Sequence, residues 1–401
     1  MRKMAGARGT MQTLVSEQAK AGRARSVRTA VSDSADPKVA VAELAKQLQP
    51  ESAACVVFFC TPTYDLHALG KAVSKAFEGT RVMGCTTAGE IASGGVIANP
   101  ISAVAFDACD FTAATLHLDD LAFADEPHIE SLVRETIDNL SQRTPWGSSG
   151  HTFALSLLDG LSSREEMMLP VVHHALDGIP LFGGSAGDAM NFNSTYVYCN
   201  GGFQENAAAI ALISTRCPFS LISSHHFAPT NEKLIVTRAD PDRRVVLEFN
   251  AEPAAPEYCR VMGLSLDDLS DATFACHPLG VQLGEHLFVR SVRQVNDDLS
   301  LTFFCAIDNG IILTKLDDTG LLEHFGKLMH GVTEAIGEPQ LVLSCDCIHR
   351  FQEAEQKQQL DALTELYRRF NVMGFKTFGE QRDGLHVNHS FTGIAIGYPD
   401  D

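Results

Sequence analysis

Long apolar runs are missing from this 401-residue sequence. None is long enough to cross a bilayer, so the sequence predicts a protein without a membrane-spanning helix and without a membrane partner. An N-terminal apolar segment with a cleavage signal is also missing, and we therefore expect a cytoplasmic protein. A hydrophobic fraction of 45% and a charged fraction of 20% are ordinary for globular proteins, which excludes disorder for most of the chain.

Cysteine pairs of the CxxC type are missing, although the chain has 11 cysteines. An odd number of thiols, several of them inside apolar runs as at Cys55, Cys60 and Cys305, favours buried free thiols in a reducing compartment. The absence of CxxCH excludes the covalent attachment of a c-type haem.

An excess of positive charge is missing as well. The formal net charge of -19 repels phosphate backbones, so we expect no nucleic-acid partner. Basic residues concentrate near the N-terminus, in MRKMAGARGT and AGRARSVRTA. We interpret residues 1–34 as a flexible basic tail.

Catalytic and nucleotide-binding motifs are missing. The sequence has no nucleophile elbow, no HExxH, no Rossmann fingerprint with its acid, and no kinase or ATPase motif. Its G-x-x-x-x-G spacings lack the Lys-Ser/Thr that follows in a P-loop, which disfavours nucleoside triphosphates. We expect no enzymatic activity, and an uncharacterised α/β enzyme remains the alternative.

A pattern of strand, helix, strand, small-residue loop and strand is present three times. Uninterrupted apolar runs of this length predict strands that helices bury on both faces, as in an α/β sheet. The copies run from CVVFFCTPTYD through RVMGCTTAGE to ISAVAF, from HTFALSLLDGLSSREE through IPLFGGSAGD to NAAAIALIS, and from QLVLSCDCIHR through NVMGFKTFGE to FTGIAIG.

The small-residue loops of the three copies are candidate ligand loops, because loops at the carboxyl ends of parallel strands are where such sheets bind ligands. Glycine allows backbone N–H groups to approach a bound group, and the acid that ends each loop either receives a donor or ties down the loop. Tight turns capped by the acids are the alternative that the sequence leaves open. The loop residues are Gly84, Thr86, Gly89 and Glu90, then Gly183, Gly184, Ser185, Gly187 and Asp188, and finally Gly374, Gly379 and Glu380.

The region between the second and third copies has a different pattern. From Cys217 to about Gly337 it contains several alternating apolar segments with polar turns, which predict antiparallel strands, and two helices. The predicted fold class is therefore α/β, with two domains built from repeated βαβ-type units with mixed sheets, plus an antiparallel segment between the second and third repeats. We place the domain boundary near residue 235.

The motifs VMGCTTAGEI, LDGLSSREE, PLFGGSAGD and GFKTFGEQ occur in the order that is typical of the FIST family, which this sequence resembles over roughly residues 35–398. The resemblance implies an N-terminal FIST domain over residues 35–234 and a C-terminal FIST domain over 235–401, as in bacterial sensory proteins. The segments FFCTPTYDL and HHFAPTNEKLIVTRAD are similar to the nitric-oxide-sensing protein (NosP) subgroup. That likeness implies a noncovalent haem b, a diatomic gas as ligand and a histidine kinase as partner. The sequence does not decide whether the protein forms a homodimer.

Haem iron in a gas sensor needs one neutral imidazole, an apolar pocket, a free distal position and donors for two propionates. Among the 15 histidines, His226 is our first choice for the iron, because an apolar strand meets Phe227 there and the subgroup resembles this chain at that position. His386 is the second choice and His277 the third, while His225 is a further cofactor-binding candidate. For each, a hydrogen-bonded histidine that shapes a turn is the alternative.

Arg164 follows LDGLSS at a predicted helix start, where its guanidinium could bind a propionate or a ligand carboxylate. It could equally pair with Asp188 or Glu90 inside the protein. A second hypothesis keeps the FIST fold but replaces haem by an amino-acid-like metabolite, held by the glycine loops and Arg164.

Overall fold

The predicted N-terminal tail contains a strand in the computed structural model, which describes residues 25–92, 101–147, 150–199 and 201–399. Residues 1–24 of that tail lie outside the described residues. Val27–Ser32 pairs with Ile101–Asp107 in an antiparallel register, and Val27 and Ala30 are buried. Val27 and Ala30 belong to apolar clusters on opposite faces of this strand, so the segment is buried from both sides in spite of the basic residues around it.

The strands and helices follow in chain order. The strands are β1 (Val27–Ser32), β2 (Ala53–Cys60), β3 (Arg81–Thr86), β4 (Glu90–Ile91), β5 (Ile101–Asp107), β6 (Phe111–Leu118), β7 (Thr152–Leu158), β8 (Leu181–Ser185), β9 (Val197–Cys199), β10 (Gly202–Gln204), β11 (Ala208–Thr215), β12 (Phe219–Ser224), β13 (Phe227–Asp240), β14 (Val245–Phe249), β15 (Glu252–Pro253), β16 (Leu279–Leu283), β17 (His286–Arg290), β18 (Val292–Val295), β19 (Leu301–Phe303), β20 (Ile312–Asp318), β21 (Leu341–Cys347), β22 (Val372–Thr377), β23 (Glu380–Arg382), β24 (Leu385–Val387) and β25 (Phe391–Ile396). The helices are α1 (Pro37–Leu48), α2 (Leu66–Ala76), α3 (Glu126–Ser141), α4 (Glu165–Leu176), α5 (Ala254–Met262), α6 (Asp271–Cys276), α7 (Leu321–Ile336), α8 (Ile348–Gln356) and α9 (Leu360–Arg369).

Local sequence signals fix the ends of several helices. The Asp36 carboxylate accepts the N–H groups of Lys38 and Val39 at the start of α1, and Pro37 is the first residue of that helix. Asp65 and Asp125 cap α2 and α3 in the same way. These side chains satisfy N–H groups that have no partner within the helix. Within the described ranges no helix has both the length and the apolar composition to cross a membrane.

The three repeats form three sheets with the same layout, which are here called sheets 1, 2 and 3. Their strand orders are β1-β5-β2-β3-β9-β10, β6-β11-β7-β8-β23-β24 and β12-β25-β21-β22-β4. In each sheet one parallel pair, such as β2 with β3, lies beside an antiparallel strand. The helix between the parallel strands supplies the crossover that such a pair needs. The repeated pattern of the sequence is therefore a repeated structural unit.

Each sheet is completed by a strand from another repeat. Strand β4, which follows the loop of repeat 1, pairs with β22 in sheet 3. Strand β23, which follows the loop of repeat 3, pairs with β8 in sheet 2. Strand β9, which follows the loop of repeat 2, pairs with β3 in sheet 1. The exchange runs through all three repeats and returns to its start, so the repeats form one closed body.

Alternating side chains build the core of this three-repeat body. In β2, Val57 and Phe59 point to a core that all three sheets share, whereas Val56 and Phe58 point to α1 and α2. Sheet 2 packs its other face on α3 and α4, and sheet 3 packs its other face on α7, α8 and α9. Both faces of each sheet are thus buried, as the uninterrupted apolar runs predict.

The antiparallel segment forms a separate sheet with its own core. Its order is β17-β16-β20-β13-β14-β19-β18, with β15 on β14, and α5 and α6 pack against it. The fold class is confirmed: repeated βαβ units with mixed sheets, and an antiparallel segment between the second and third repeats. The expected boundary at 234/235 falls inside β13 (Phe227–Asp240). Repeat 3 packs with repeats 1 and 2, because its inner face completes the shared core.

Candidate functional site

The three small-residue loops meet and bond to one another. The N–H of Gly187 donates to the Thr86 carbonyl at 3.0 Å, which joins loops 2 and 1. The N–H of Ser185 donates to the Gly379 carbonyl at 2.8 Å, which joins loops 2 and 3. Loops 1 and 3 are joined where the N–H of Ala88 donates to the Lys376 carbonyl at 3.0 Å. The topology therefore brings the predicted ligand loops together at one junction.

The glycines of these loops allow the backbones of different repeats to approach closely. A Cβ at Gly187 would lie 2.6 Å from the Ala88 nitrogen, and a Cβ at Gly184 would lie 2.9 Å from the Cys345 Cβ. Side chains at the related positions would collide with a neighbouring strand or loop, as at Gly84, Gly183, Gly374 and Gly379. Because the N–H groups of Ala88, Ser185 and Gly187 bond to the chain itself, they are not offered to a ligand.

The three loop acids are turned inward. Asp188 accepts the N–H groups of Phe192, Asn193 and Ser194 at 2.8, 2.6 and 3.2 Å. Glu380 accepts both the N–H and the hydroxyl of Ser390. Glu90 accepts the Thr87 hydroxyl at 2.9 Å. Of the two roles that the sequence allows for the acids, the contacts favour tying down the loops.

Burial changes the ionisation of the groups at the junction. It raises the pKa of Glu90 to about 7, and it raises the pKa of Glu380 well above its ordinary value. Burial also lowers the pKa of Lys376, whose chain packs against Gly89. Burial thus disfavours the charged forms of both carboxyl groups and of the ammonium group at the junction.

His226, the first choice for the haem iron, lies in a closed polar cluster. We call the group of His226, Asp318, Glu353, Lys357 and His389 the Glu353 cluster. Nε2 of His226 lies 2.9 Å from both carboxylate oxygens of Glu353, and Nε2 of His389 lies 2.9 Å from one of them. Nζ of Lys357 lies 2.7 Å from Glu353 and 2.7 Å from Asp318.

Both ring nitrogens of His226 face protein groups, since Nδ1 lies 3.5 Å from the Arg350 guanidinium and the residue is fully buried. Burial lowers the pKa of His226. Burial alone would raise the pKa of Glu353, but the hydrogen bonds from His226 and His389 outweigh it and hold that pKa far below its usual range. A porphyrin has no room at His226, so the residues around this imidazole do not fit a haem.

His386, the second choice, belongs to another cluster, which we call the Glu166 cluster: Glu165, Glu166, Arg244 and His386. Nδ1 of His386 lies 3.0 Å from the Glu166 carboxylate, while its buried Nε2 has no partner within the described residues and faces Gly379. Arg244 bridges Glu165 and Glu166 at 2.6 and 2.7 Å. Burial would raise the pKa of Glu166, but His386 and Arg244 outweigh it and lower that pKa.

Neither the His277 ring nor the Arg164 guanidinium bonds to a described residue of either cluster, although Arg164 directly precedes Glu165 in the chain. Nδ1 of His277 lies 2.9 Å from the Thr273 carbonyl, just after α6, and the ring is half-buried. Arg164 immediately precedes α4, as the sequence predicts for a helix start. Its guanidinium forms no ion pair with another described residue, so neither Asp188 nor Glu90 is its partner. The structure therefore does not gather the predicted cofactor residues into a single site.

A groove of about 770 Å³ lies where two sheet edges face each other, and we call it the β17–β24 groove. Strand β17 is an edge of the antiparallel sheet, and β24 is an edge of sheet 2. The apolar part of its lining consists of Phe227, Ala228, Pro229, Leu287, Phe288, Val289, Leu385 and Val387. Two imidazoles, those of His225 and His286, also line it, together with the charged residues Glu285, Arg382 and Asp383. Nε of Arg382 lies 3.1 Å from the Asp383 carboxylate.

The two imidazoles of the groove differ in their bonding. Nε2 of His225 donates to the Leu287 carbonyl at 3.0 Å, and its Nδ1 accepts the N–H of Phe227 at 3.3 Å. Burial lowers the pKa of His225, so this ring is neutral. His286 is exposed, and its ring forms no hydrogen bond with another described residue. One imidazole is thus fixed in the wall, and the other is free at the rim.

An aromatic patch lies beside the loop junction. The rings of Phe192 and Phe378 stack with centroids 4.8 Å apart, and Phe304 packs 6.0 Å from each. The guanidinium of Arg293 lies 5.2 Å from the centre of the Phe192 ring, and its buried Nε has no partner among the described residues. The patch combines two buried rings and one partly exposed ring, that of Phe192, with a guanidinium that has no ion pair among the described residues.

Sequence reasoning missed Glu353, Lys357, Glu166, Arg244 and His286. A signal existed for the first two, because Glu353 and Lys357 are four residues apart and therefore share a helix face. No signal of that kind joins Glu166 to Arg244, which are 78 residues apart in the chain. His286 is recognisable only once β17 is placed opposite β24.

Family models match most of the chain. The FIST N domain matches residues 54–252, and the FIST C domain matches residues 254–382. The uncharacterized protein MJ1623 of Methanocaldococcus jannaschii is 24% identical over 267 residues, which are 58% of this chain and 51% of that protein. The chain therefore spans about half the length of this curated relative.

Two solved structures resemble the chain weakly. A cyanuric acid hydrolase from A. caulinodans has 8% identity and a TM-score of 0.39, with 93% of this chain and 99% of the other covered. A second cyanuric acid hydrolase structure has 8% identity and a TM-score of 0.34, with 92% and 99% covered. Likenesses at this level carry no argument about the activity of this chain.

Proposed function

Because the chain belongs to the FIST family, whose domains are generally sensory, we propose that it is a sensor that binds haem b in the β17–β24 groove. In this proposal a diatomic gas, nitric oxide first, is the signal, and a histidine kinase in the cytoplasm is the partner. The proposal extends the likeness to the nitric-oxide-sensing subgroup. The observation that carries it is the groove itself, which joins two separately packed parts of the protein.

The groove meets the physical needs of a bound porphyrin. Its volume of about 770 Å³ lies within the ~300–1,000 Å³ that is typical of small-molecule and cofactor sites. Its apolar side chains would cover the ring, and a haem would supply an iron that binds a diatomic gas. His286 is the imidazole that we assign to the iron, because no other described group holds its nitrogens. Arg382 is the rim cation that we assign to a propionate, which would replace the Asp383 carboxylate that now lies 3.1 Å from its Nε.

His225 has a supporting role in this proposal. Its bonds to Leu287 and Phe227 fix the ring in the wall of the groove and hold it in one tautomer. A fixed neutral imidazole adds a polar edge without adding charge to an apolar pocket. His225 would therefore shape the pocket and link β13 to β17.

The position of the groove suits signal transmission. A ligand shifts a conformational equilibrium only if it binds one state more tightly than another, so it must contact an element that can move. Strand β24 lines the groove and also contains His386, whose Nδ1 bonds to Glu166 at the start of α4. Movement of β24 would therefore reach α4 on the outer face of sheet 2, where a kinase could read it.

The test is a titration of haemin into the purified chain. We expect saturation at one haem per chain, with a Soret band that shifts on reduction by dithionite and again on addition of nitric oxide or carbon monoxide. His286→Ala should weaken haemin binding or change the ferric spectrum. His330→Ala is the matched control, since His330 is an exposed histidine on α7, far along the chain from the groove residues.

The same titration separates the candidate ligands. If His226→Ala removes the Soret band in a folded protein while His286→Ala and His225→Ala keep it, then the groove assignment is wrong and the buried imidazole binds iron after a rearrangement. A chain that stays colourless with excess haemin would refute haem binding altogether. Circular dichroism of each variant reports whether it folds.

The second candidate function is sensing of an amino-acid-like metabolite without haem. The aromatic patch favours it, because Arg293 has a buried Nε without a partner and could receive a ligand carboxylate beside Phe192. Thermal shift with a panel of amino acids would test it. We would expect Arg293→Gln to abolish the shift and Arg134→Gln, on the surface of α3, to retain it.

A further inference from the structure

The Glu353 cluster contains two imidazoles that contact Glu353 and one ammonium group that contacts both Glu353 and Asp318. We propose that this cluster is a binding site for a divalent transition-metal ion, with His226, His389 and Glu353 as ligands and Asp318 as the fourth. The inference is independent of the haem proposal, which uses other imidazoles.

The donor set has the chemistry of a zinc-class site. Imidazole nitrogen and carboxylate oxygen are the ligands that Zn²⁺, Fe²⁺ and Co²⁺ share, and two histidines with one carboxylate recur in such sites. One ligand atom from each of His226, Glu353 and His389 lies within 4.8 Å of the other two. Nε2 of His226 is also 3.7 Å from Asp318. A small inward movement of these side chains would give coordination distances of about 2.0–2.2 Å.

The ammonium group of Lys357 occupies the position that the metal ion would take in the cluster. Its ammonium group lies 2.7 Å from each of the two carboxylates, between Glu353 and Asp318. The Lys357 side chain is 28% exposed, so it can turn into solvent and leave both carboxylates to an incoming ion. Asp318 is also partly exposed, which gives the ion a path from solvent.

The Glu166 cluster is a useful contrast. Two carboxylates and one imidazole also meet there, but the cation between them is Arg244, which is only 8% exposed. Arg244 also donates to the Phe304 carbonyl at 2.7 Å and cannot leave without breaking a buried pair. A metal ion could therefore displace the lysine of the first cluster but not the arginine of the second.

Proton positions change when the ion binds. In the present arrangement the Nε2 protons of His226 and His389 point to Glu353, so coordination through Nε2 moves each proton to Nδ1. Nδ1 of His389 is buried and has no partner within the described residues, so it is available for a proton. Nδ1 of His226 faces Arg350, which must turn fully toward Asp346 and Tyr367, its other partners.

Cobalt is the probe that tests the site. Chelator-treated chain is titrated with Co²⁺, and the visible ligand-field absorption is recorded, followed by competition with Zn²⁺. We expect one Co²⁺ per chain, with an intense spectrum of four-coordinate type that Zn²⁺ abolishes. Glu353→Gln and His389→Ala should each weaken binding by more than about 10-fold. His286→Ala and His330→Ala should leave binding unchanged, so the haem proposal can fail without this one.

The decisive variant is Lys357→Met, because the proposal predicts that it binds Co²⁺ more tightly. Loss of folded structure would not produce tighter binding. Removal of the competing ammonium group should raise the Co²⁺ affinity by about 10-fold or more, since Lys357 then no longer competes with the ion for the two carboxylates. Equal or weaker binding by Lys357→Met would overturn the proposal. So would Co²⁺ binding that survives in a folded Glu353→Gln variant, because the ion would then lie elsewhere.

Discussion

Gly187 is the position at which a single methyl group tests the loop junction. A Cβ there would lie 2.6 Å from the Ala88 nitrogen and 3.0 Å from the Thr87 carbonyl carbon, both of which are backbone atoms of another repeat. Backbone cannot rotate away as a side chain can, so loops 1 and 2 must separate. Overpacking of this kind costs about 1–3 kcal/mol, and the two hydrogen bonds that Gly187 and Ala189 donate to loop 1 weaken by roughly 1 kcal/mol together. We therefore expect Gly187→Ala to lower the free energy of unfolding by about 2–4 kcal/mol.

The assay is urea unfolding followed by circular dichroism, with Gly326→Ala as the matched control. Gly326 lies inside α7, and a Cβ there would meet no atom within 4 Å. The free energy of unfolding of this variant should therefore rise by about 0.5–1 kcal/mol, because alanine is more favourable than glycine in a helix interior. If the free energy of unfolding of Gly187→Ala lies within about 0.5 kcal/mol of that of the original protein, the loops do not pack as described. The junction would then have space for a ligand.

Three further predictions concern buried charge and one helix cap. Arg350→Met leaves Asp346 buried without its guanidinium partner and should cost about 3–5 kcal/mol in urea unfolding; a cost below about 1 kcal/mol would contradict the ion pair. Burial raises the pKa of Glu90 from 4.5 to about 7, so the folded state binds the proton more tightly and stability falls as the pH rises between these values. Glu90→Gln should remove this fall of about 3 kcal/mol from unfolding curves measured across that range, and an unchanged slope would refute the assignment. Asp36→Ala removes the cap of α1 and should cost about 1 kcal/mol, whereas Asp33→Ala, outside the helix, should stay within about 0.5 kcal/mol.

The repeated unit could be predicted from the sequence because its signal is local. Apolar runs such as that of β2, followed by a capped helix and a loop of small residues, specify strand, helix and turn within about 35 residues. The closure of the repeats could not be predicted, since β4 has only two residues and pairs with β22 across nearly 300 residues of chain. Nothing in a two-residue strand identifies its partner.

The candidate site was harder to predict for a related reason. His226 is recognisable as an unusual residue, but its environment depends on Glu353 and His389, which reach it only after repeat 3 packs against the antiparallel sheet. The glycine loops suggest a ligand cradle from sequence, whereas the folded chain uses their close approach to join its own repeats. The local sequence is compatible both with a ligand cradle and with a joint between repeats, and only the long-range contacts distinguish the two.

The exchange of strands between repeats also determines the order in which the sheets can be completed during translation. Strand β8 ends at Ser185, but its neighbour β23 begins at Glu380, about 200 residues later. At 5–20 residues per second, this edge of sheet 2 waits about 10–40 s for its partner. During that time the shared core is open on the side that repeat 3 will cover. A nascent chain therefore exposes apolar strands until translation is nearly complete, and chaperones that protect open sheet edges should affect its yield more than its final stability.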